Sequence, residues 1–157
     1  MIYLLALIPV LLVITLVVLL RRRRPHILID GSNVMHWRDN SPSLEPVRAV
    51  VTLTKKAGFT PGVVFDANAG YKLEGRYRDD RHLARALGLP EAQVLVVSKG
   101  QQADPVLLAV ARDRGARIVT NDRFRDWAAP HPEIATPGHL IRGGWRDGAV
   151  WLDLGEE

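Results

Sequence analysis

The sequence predicts an α/β domain with a mostly parallel central sheet covered by helices on both faces. Apolar runs that end in an acid recur at residues 27–30, 63–66 and 118–122. They are continuous rather than alternating, as strands buried on both faces require. Stretches of helical spacing and ordinary crossover length separate them, which implies parallel neighbours.

Residues 1–20 are apolar apart from Tyr3 and Thr15, with Pro9 as the one interruption, and four arginines follow at 21–24. About 20 such residues cross a bilayer. A cleaved signal peptide would carry its cations before the apolar core, so the segment reads as an uncleaved transmembrane anchor followed by a basic juxtamembrane linker at 21–25. The positive-inside rule then makes this a single-pass membrane protein whose domain, residues 26–157, faces the cytoplasm.

The first strand is His26-Ile27-Leu28-Ile29-Asp30, and Gly31 permits a sharp exit. A loop over 34–40 leads to a helix that Ser43 caps and Gly58 ends. The second strand covers 62–66, a glycine-containing loop covers 67–77, and a helix over 79–87 closes at Gly88. The third strand is 94–97. Asp104 is expected at the N-cap and Pro105 at the first position of a helix over 105–114. Gly115 ends that helix before strand four, Ile118-Val119. Residues 122–127 read as a short helix, and 140–154 as an edge hairpin turning at Arg146-Asp147-Gly148.

Right-handed crossovers place all the strand C-termini on one edge. With strand one central, strands two and three on one side and four on the other, the crevice at its end is a topological switch point, where open α/β sheets bind ligands. Asp30, Asp122 and Asp104 reach it from strand one, strand four and the helix after strand three. Clustered carboxylates repel unless a divalent cation offsets their charge. All-oxygen ligands favour Mg²⁺ or Mn²⁺, and the matching chemistry is phosphodiester hydrolysis. The bland alternatives are a loop-bonding role for Asp30 and an N-cap role for Asp122. Asp66 reads as structural or peripheral.

Cysteine is absent, which excludes disulfides, thiolate zinc sites and thiol nucleophiles. Lys and Arg number 21 against 17 acids, but four of the cations are the 21–24 run, so the domain itself is balanced. Nucleic-acid contact must therefore rest on local clusters. Lys72, Arg76, Arg78, Arg81 and Arg85, interleaved with Tyr71 and Tyr77, form such a cluster, in which cations hold phosphates and tyrosines stack on unpaired bases. The alternative is a solvated face balanced by Glu74, Asp79 and Asp80. His36 and Trp37 are candidates for substrate contact; Trp127, Trp145 and Trp151 read as packing residues. No G-x-G-x-x-G follows strand one, so no nucleotide cofactor is expected.

Three motifs in order, Ile29-Asp30-Gly31-Ser32-Asn33-Val34, Ala103-Asp104-Pro105 and Thr120-Asn121-Asp122-Arg123-Phe124-Arg125-Asp126, resemble the signature of NYN and PIN-like ribonucleases, in particular the Regnase-type (Zc3h12a-like) branch. The resemblance covers about residues 26 to 142. It implies a PIN-like three-layer α/β/α fold and Mg²⁺-dependent endonucleolytic cleavage of RNA. It also implies that Asp30, Asp104 and Asp122 are metal-binding catalytic acids supported by Asn33 and Asp126. Such enzymes often carry two adjacent acids where this chain has Ala103-Asp104, and the zinc finger of some relatives is missing. An RNA-binding or scaffold module of weak or no activity is the alternative function, and a homodimer is compatible with the sequence.

Overall fold

A computed structural model of the chain describes residues 24–155. The expected anchor at 1–20 and most of the linker lie outside the described residues, among which no helix is long and apolar enough to cross a membrane.

Five parallel strands form the main sheet: β1 (His26–Asp30), β2 (Thr60–Phe65), β3 (Val94–Val96), β4 (Arg117–Val119) and β5 (Leu140–Ile141), in the order β3-β2-β1-β4-β5. The central position of β1 and its neighbours β2 and β4 agree with the sequence reading. β5 is new: its two residues pair with Ile118 and Val119, where an edge hairpin alone was expected. The hairpin is a separate antiparallel pair, β6 (Gly143–Arg146) and β7 (Ala149–Leu152). Its loop residues Asp147 and Gly148 both take positive φ (52° and 77°), which matches the twist of a two-residue hairpin.

The helices are α1 (Gly31–Val34), α2 (Leu44–Lys56), α3 (Ala69–Glu74), α4 (Asp80–Leu87) and α5 (Ala103–Arg114). Alternating residues of β1 serve two cores. Ile27 and Ile29 pack with Val47 and Val50 of α2 and Leu83 and Leu87 of α4, and Val150 and Leu152 of β7 lie against the same cluster. Leu28 faces Leu107, Leu108 and Ala111 of α5, with Phe124. Burial of β1 on both sides explains its unbroken apolar run.

Local capping fixes where these helices start and stop. The Ser43 hydroxyl accepts from the Glu45 amide at 3.1 Å, and after α2 the chain turns at Gly58, φ 91°. Thr54, fully buried inside α2, donates to the carbonyls of Val50 and Val51. It thereby satisfies its own hydroxyl.

Four local expectations are corrected. The exit after Asp30 is helix α1, not an open turn. Gly31 is needed there for space, because a Cβ would lie 2.5 Å from the Phe65 ring. Residues 67–77 contain α3, whose Gly70 packs against the Arg78 backbone. α5 begins two residues early, so Gln102 is the cap and Asp104 sits inside the first turn. The expected helix at 122–127 shrinks to a 3₁₀ turn, Arg125–Trp127, because Phe124 at φ 47° interrupts it.

Candidate active site

Asp30 closes β1 and caps α1 at the same time. Its Oδ1 accepts from the Asn33 amide at 3.1 Å and its Oδ2 from the Thr120 hydroxyl at 2.8 Å. The residue is only 8% exposed. Burial pushes its pKa up to about 7, against the pull of those hydrogen bonds, and the charges of Asp104 and Asp122 add to the rise.

Asp122 follows β4 on an exposed loop held at three points. Its amide donates to the Thr120 hydroxyl at 3.0 Å, its Oδ1 accepts from the Phe124 amide at 2.8 Å, and its carbonyl accepts from Arg142 at 2.9 Å. The carboxylate thus turns its own loop rather than capping the following 3₁₀ turn, which begins after Phe124. Asp104 is half-buried in the first turn of α5, where the helix dipole favours an acid. Burial nevertheless raises its pKa, followed by the charges of Asp122, Asp66 and Asp126, while the Trp127 indole opposes the rise.

Asp104, Asp66, Asp126, Gln102 and Trp127 line a cleft of about 470 Å³. Asp30 and Asp122 are not among its walls, yet the charges of Asp104 and Asp122 both bear on Asp30, and that of Asp122 bears on Asp104. The acids therefore share one edge, divided between the cleft and the β1–β4 strand ends. No Lys, Arg or His makes an ion pair with Asp30, Asp66, Asp104, Asp122 or Asp126 among the described residues.

Also among the described residues, no three His, Asp or Glu side chains stand close enough to form a ready-made metal cage. The donor set still fits a hard cation. Mg²⁺ commonly takes one or two carboxylates and completes its shell with water and substrate oxygens, and the acids of this edge supply such carboxylates.

Asn33 is turned to positioning. Its Oδ1 accepts from the Trp37 indole at 2.9 Å and from the Asn121 amide at 3.1 Å. Asn121 in turn donates to the Gly143 carbonyl and accepts from the Gly143 amide, at 2.8 and 3.3 Å. These bonds tie α1, the loop after β4 and the hairpin together.

The expected RNA-binding cluster divides. Tyr71 and Tyr77 are 58% and 56% exposed, and Lys72 and Arg76 are exposed without an ion pair among the described residues. Arg78 is instead held by Glu74, and Arg81 pairs with Glu91 at 3.2 Å. Both were expected to be available to RNA, and both are engaged within the fold. Asp126 makes no ion pair with Arg123 or Arg125.

Sequence reasoning missed four contributors. Thr120 bridges two acids, Ser32 accepts from the Asp66 amide at 2.8 Å, Asp66 lines the cleft, and Trp127 forms its wall. Thr120 lay inside a quoted motif and Asp66 at a strand end, so each was visible as a residue but not as a contact.

A parallel α/β sheet whose C-terminal edge carries acids without ion pairs among the described residues fits a PIN-like fold. The chain belongs to the Zc3h12a-like ribonuclease NYN domain family, whose model matches residues 23–147. Among solved structures, nuclear proteinaceous RNase P 2 (PRORP2) from A. thaliana shares 16% identity at a TM-score of 0.63, over 83% of this chain and 30% of that one. A second structure of Arabidopsis thaliana PRORP2 shares 18% identity at a TM-score of 0.53, over 82% and 29%. This chain therefore spans about three tenths of those proteins, and at such identities the likeness concerns the fold. No curated protein matches the sequence.

Proposed function

We propose that this chain is a Mg²⁺- or Mn²⁺-dependent endoribonuclease that cuts single-stranded RNA, held at the cytoplasmic face of a membrane by residues 1–20. Asp30, Asp104 and Asp122 are assigned as the metal-binding and catalytic acids, with Asn33 and Asp126 in support. The observation that carries this reading is a sheet edge on which several acids gather without a basic partner among the described residues. Such an arrangement lowers stability and is accounted for by function.

A bound divalent cation supplies the charge that offsets these carboxylates, polarises a phosphoryl oxygen and makes water more acidic. Asp30 keeps its orientation through Thr120 and Asn33, which leaves lone pairs on both oxygens for the cation. Asp104, with its raised pKa, is assigned to accept a proton from the attacking water at the cleft. Lys72 and Arg76 hold the RNA backbone while Tyr71 and Tyr77 stack on bases. The tether rests on the apolar 1–20 stretch and the arginines at 21–24.

The test uses the full chain in detergent micelles with end-labelled single-stranded RNA in Mg²⁺, Mn²⁺ or chelator. Internal cleavage that chelator stops and Asp30→Asn reduces at least about 100-fold is the expected result. RNA bound but left intact in both metals would overturn it in favour of the binding module. That second reading is favoured by Ala103, which is buried beside Asp104 and offers no oxygen from its side chain.

A further inference from the structure

The hairpin β6–β7 has two unlike faces. Its pairing places Trp145 opposite Val150 and Gly143 opposite Leu152, and Val150 and Leu152 pack against the first core. The other face carries Gly144 opposite Trp151 and Arg146 opposite Ala149. Trp151 is 39% exposed, the most exposed tryptophan among the described residues. It lies across Gly144, where a Cβ would come within 2.9 Å of the indole nitrogen. The Arg146 guanidinium sits 5.2 Å from the ring centroid.

Arg146 makes no ion pair among the described residues, although Asp147 and Asp153 belong to the same hairpin. Arg38, which lies over Trp145, is by contrast neutralised by Asp39 and Glu45. The free cation thus belongs to the outward face. The hairpin itself is joined to the acid edge at the start of β6: Asn121 bonds both backbone groups of Gly143, and Arg142 donates to the carbonyls of Thr120 and Asp122. Arg123 and Arg125, exposed on the same loop as Asp122, are also without ion pairs among the described residues.

We propose that the outer face of this hairpin is a second nucleic-acid surface, which takes unpaired nucleotides of the RNA on one flank of the acid edge. Trp151 stacks on a base and Arg146 meets a phosphate, with Arg123 and Arg125 between hairpin and cleft. Single-stranded RNA is the occupant because an exposed indole offers a π-face to any base while the adjoining cations are uncompensated. A duplex would hide its bases from the indole. The inference rests on the ribonuclease reading for the identity of the strand, and Tyr71, Lys72, Arg76 and Tyr77 then serve the other flank.

Binding is measured on the full chain carrying Asp30→Asn, by anisotropy of a labelled single-stranded RNA of about 12 nucleotides, in chelator and over a series of salt concentrations. Trp151→Ala is expected to weaken binding about tenfold, Trp151→Phe to restore most of the loss, and Arg146→Ala to lower the salt slope by about one. Thermal melts establish that each variant is folded, and Trp151→Phe keeps the test valid where alanine unfolds the hairpin. Unchanged RNA affinity in folded Trp151→Ala and Arg146→Ala overturns the proposal. Failure of the ribonuclease reading looks different: the chain without Asp30→Asn leaves RNA uncut in either metal, while the Trp151 and Arg146 effects on binding persist.

Discussion

The Thr120 hydroxyl stands between two acids, donating to Asp30 Oδ2 at 2.8 Å and accepting from the Asp122 amide at 3.0 Å. One side chain therefore pulls down the pKa of the buried acid, against the larger effect of burial, and fixes the backbone of the exposed one. Thr120→Val keeps the shape and removes both bonds. Its expected cost is about 1–3 kcal/mol in denaturant unfolding, with the acid limb of the cleavage pH profile moved upward. Thr120→Ser retains both properties.

Asp30 ionises near pH 7 in the fold, against an ordinary value of 3.8. Between those values the folded chain keeps a proton that the unfolded chain has lost. Stability from this group is therefore greatest below the ordinary value, falls as pH rises toward 7, and is level beyond. Asp30→Asn removes the slope and is the more stable protein at pH 8, by on the order of 4 kcal/mol. Melting curves in chelator at pH 5 and pH 8 measure this. Added Mg²⁺ raises the melting temperature of the unsubstituted chain more at pH 8 than at pH 5, because the proton must leave before the carboxylate binds a cation.

Gly31→Ala tests the contact between α1 and β2. Its new methyl would lie 2.5 Å from the Phe65 ring, so ring or backbone must move. A loss of about 1–3 kcal/mol is expected in equilibrium unfolding, together with weaker cleavage, since Gly31 follows Asp30 directly.

The four cations near α3 and α4 should separate by their partners. Lys72→Ala and Arg76→Ala each lower the salt slope of RNA binding by about one. Arg78→Ala and Arg81→Ala leave it nearly unchanged, since those side chains are engaged by Glu74 and Glu91. Anisotropy titrations at several salt concentrations distinguish the pairs.

Much of the frame was legible in the chain because burial on both faces leaves a continuous apolar run, and Ile27-Leu28-Ile29 is one. The acid that ends the run marks the sheet edge for the same reason. α1 and α3 escaped because they are short and contain Gly31 and Gly70, which helices of that length seldom favour in isolation. The bridge from Thr120 to Asp30 spans 90 residues and exists only because β4 lies beside β1. Glu74 was foreseen as a counter-charge to the basic cluster, but with residues 67–77 read as a loop its particular partner, Arg78, was left open.

β1 takes the chain in beside Pro25 and releases it at Asp30. The Pro25 carbonyl is already engaged by the Thr60 amide at 2.8 Å, and both flanks of the strand are hydrogen-bonded to parallel neighbours. Five residues of strand extend about 16 Å. For a chain tethered through residues 1–20, as proposed, the acid edge stands one strand length beyond the point where the tether enters the fold. The strand is then a standoff post: it keeps the carboxylates clear of headgroup phosphates that would compete for the same cation, and a pull on the tether loads the two ladders in shear instead of peeling them apart.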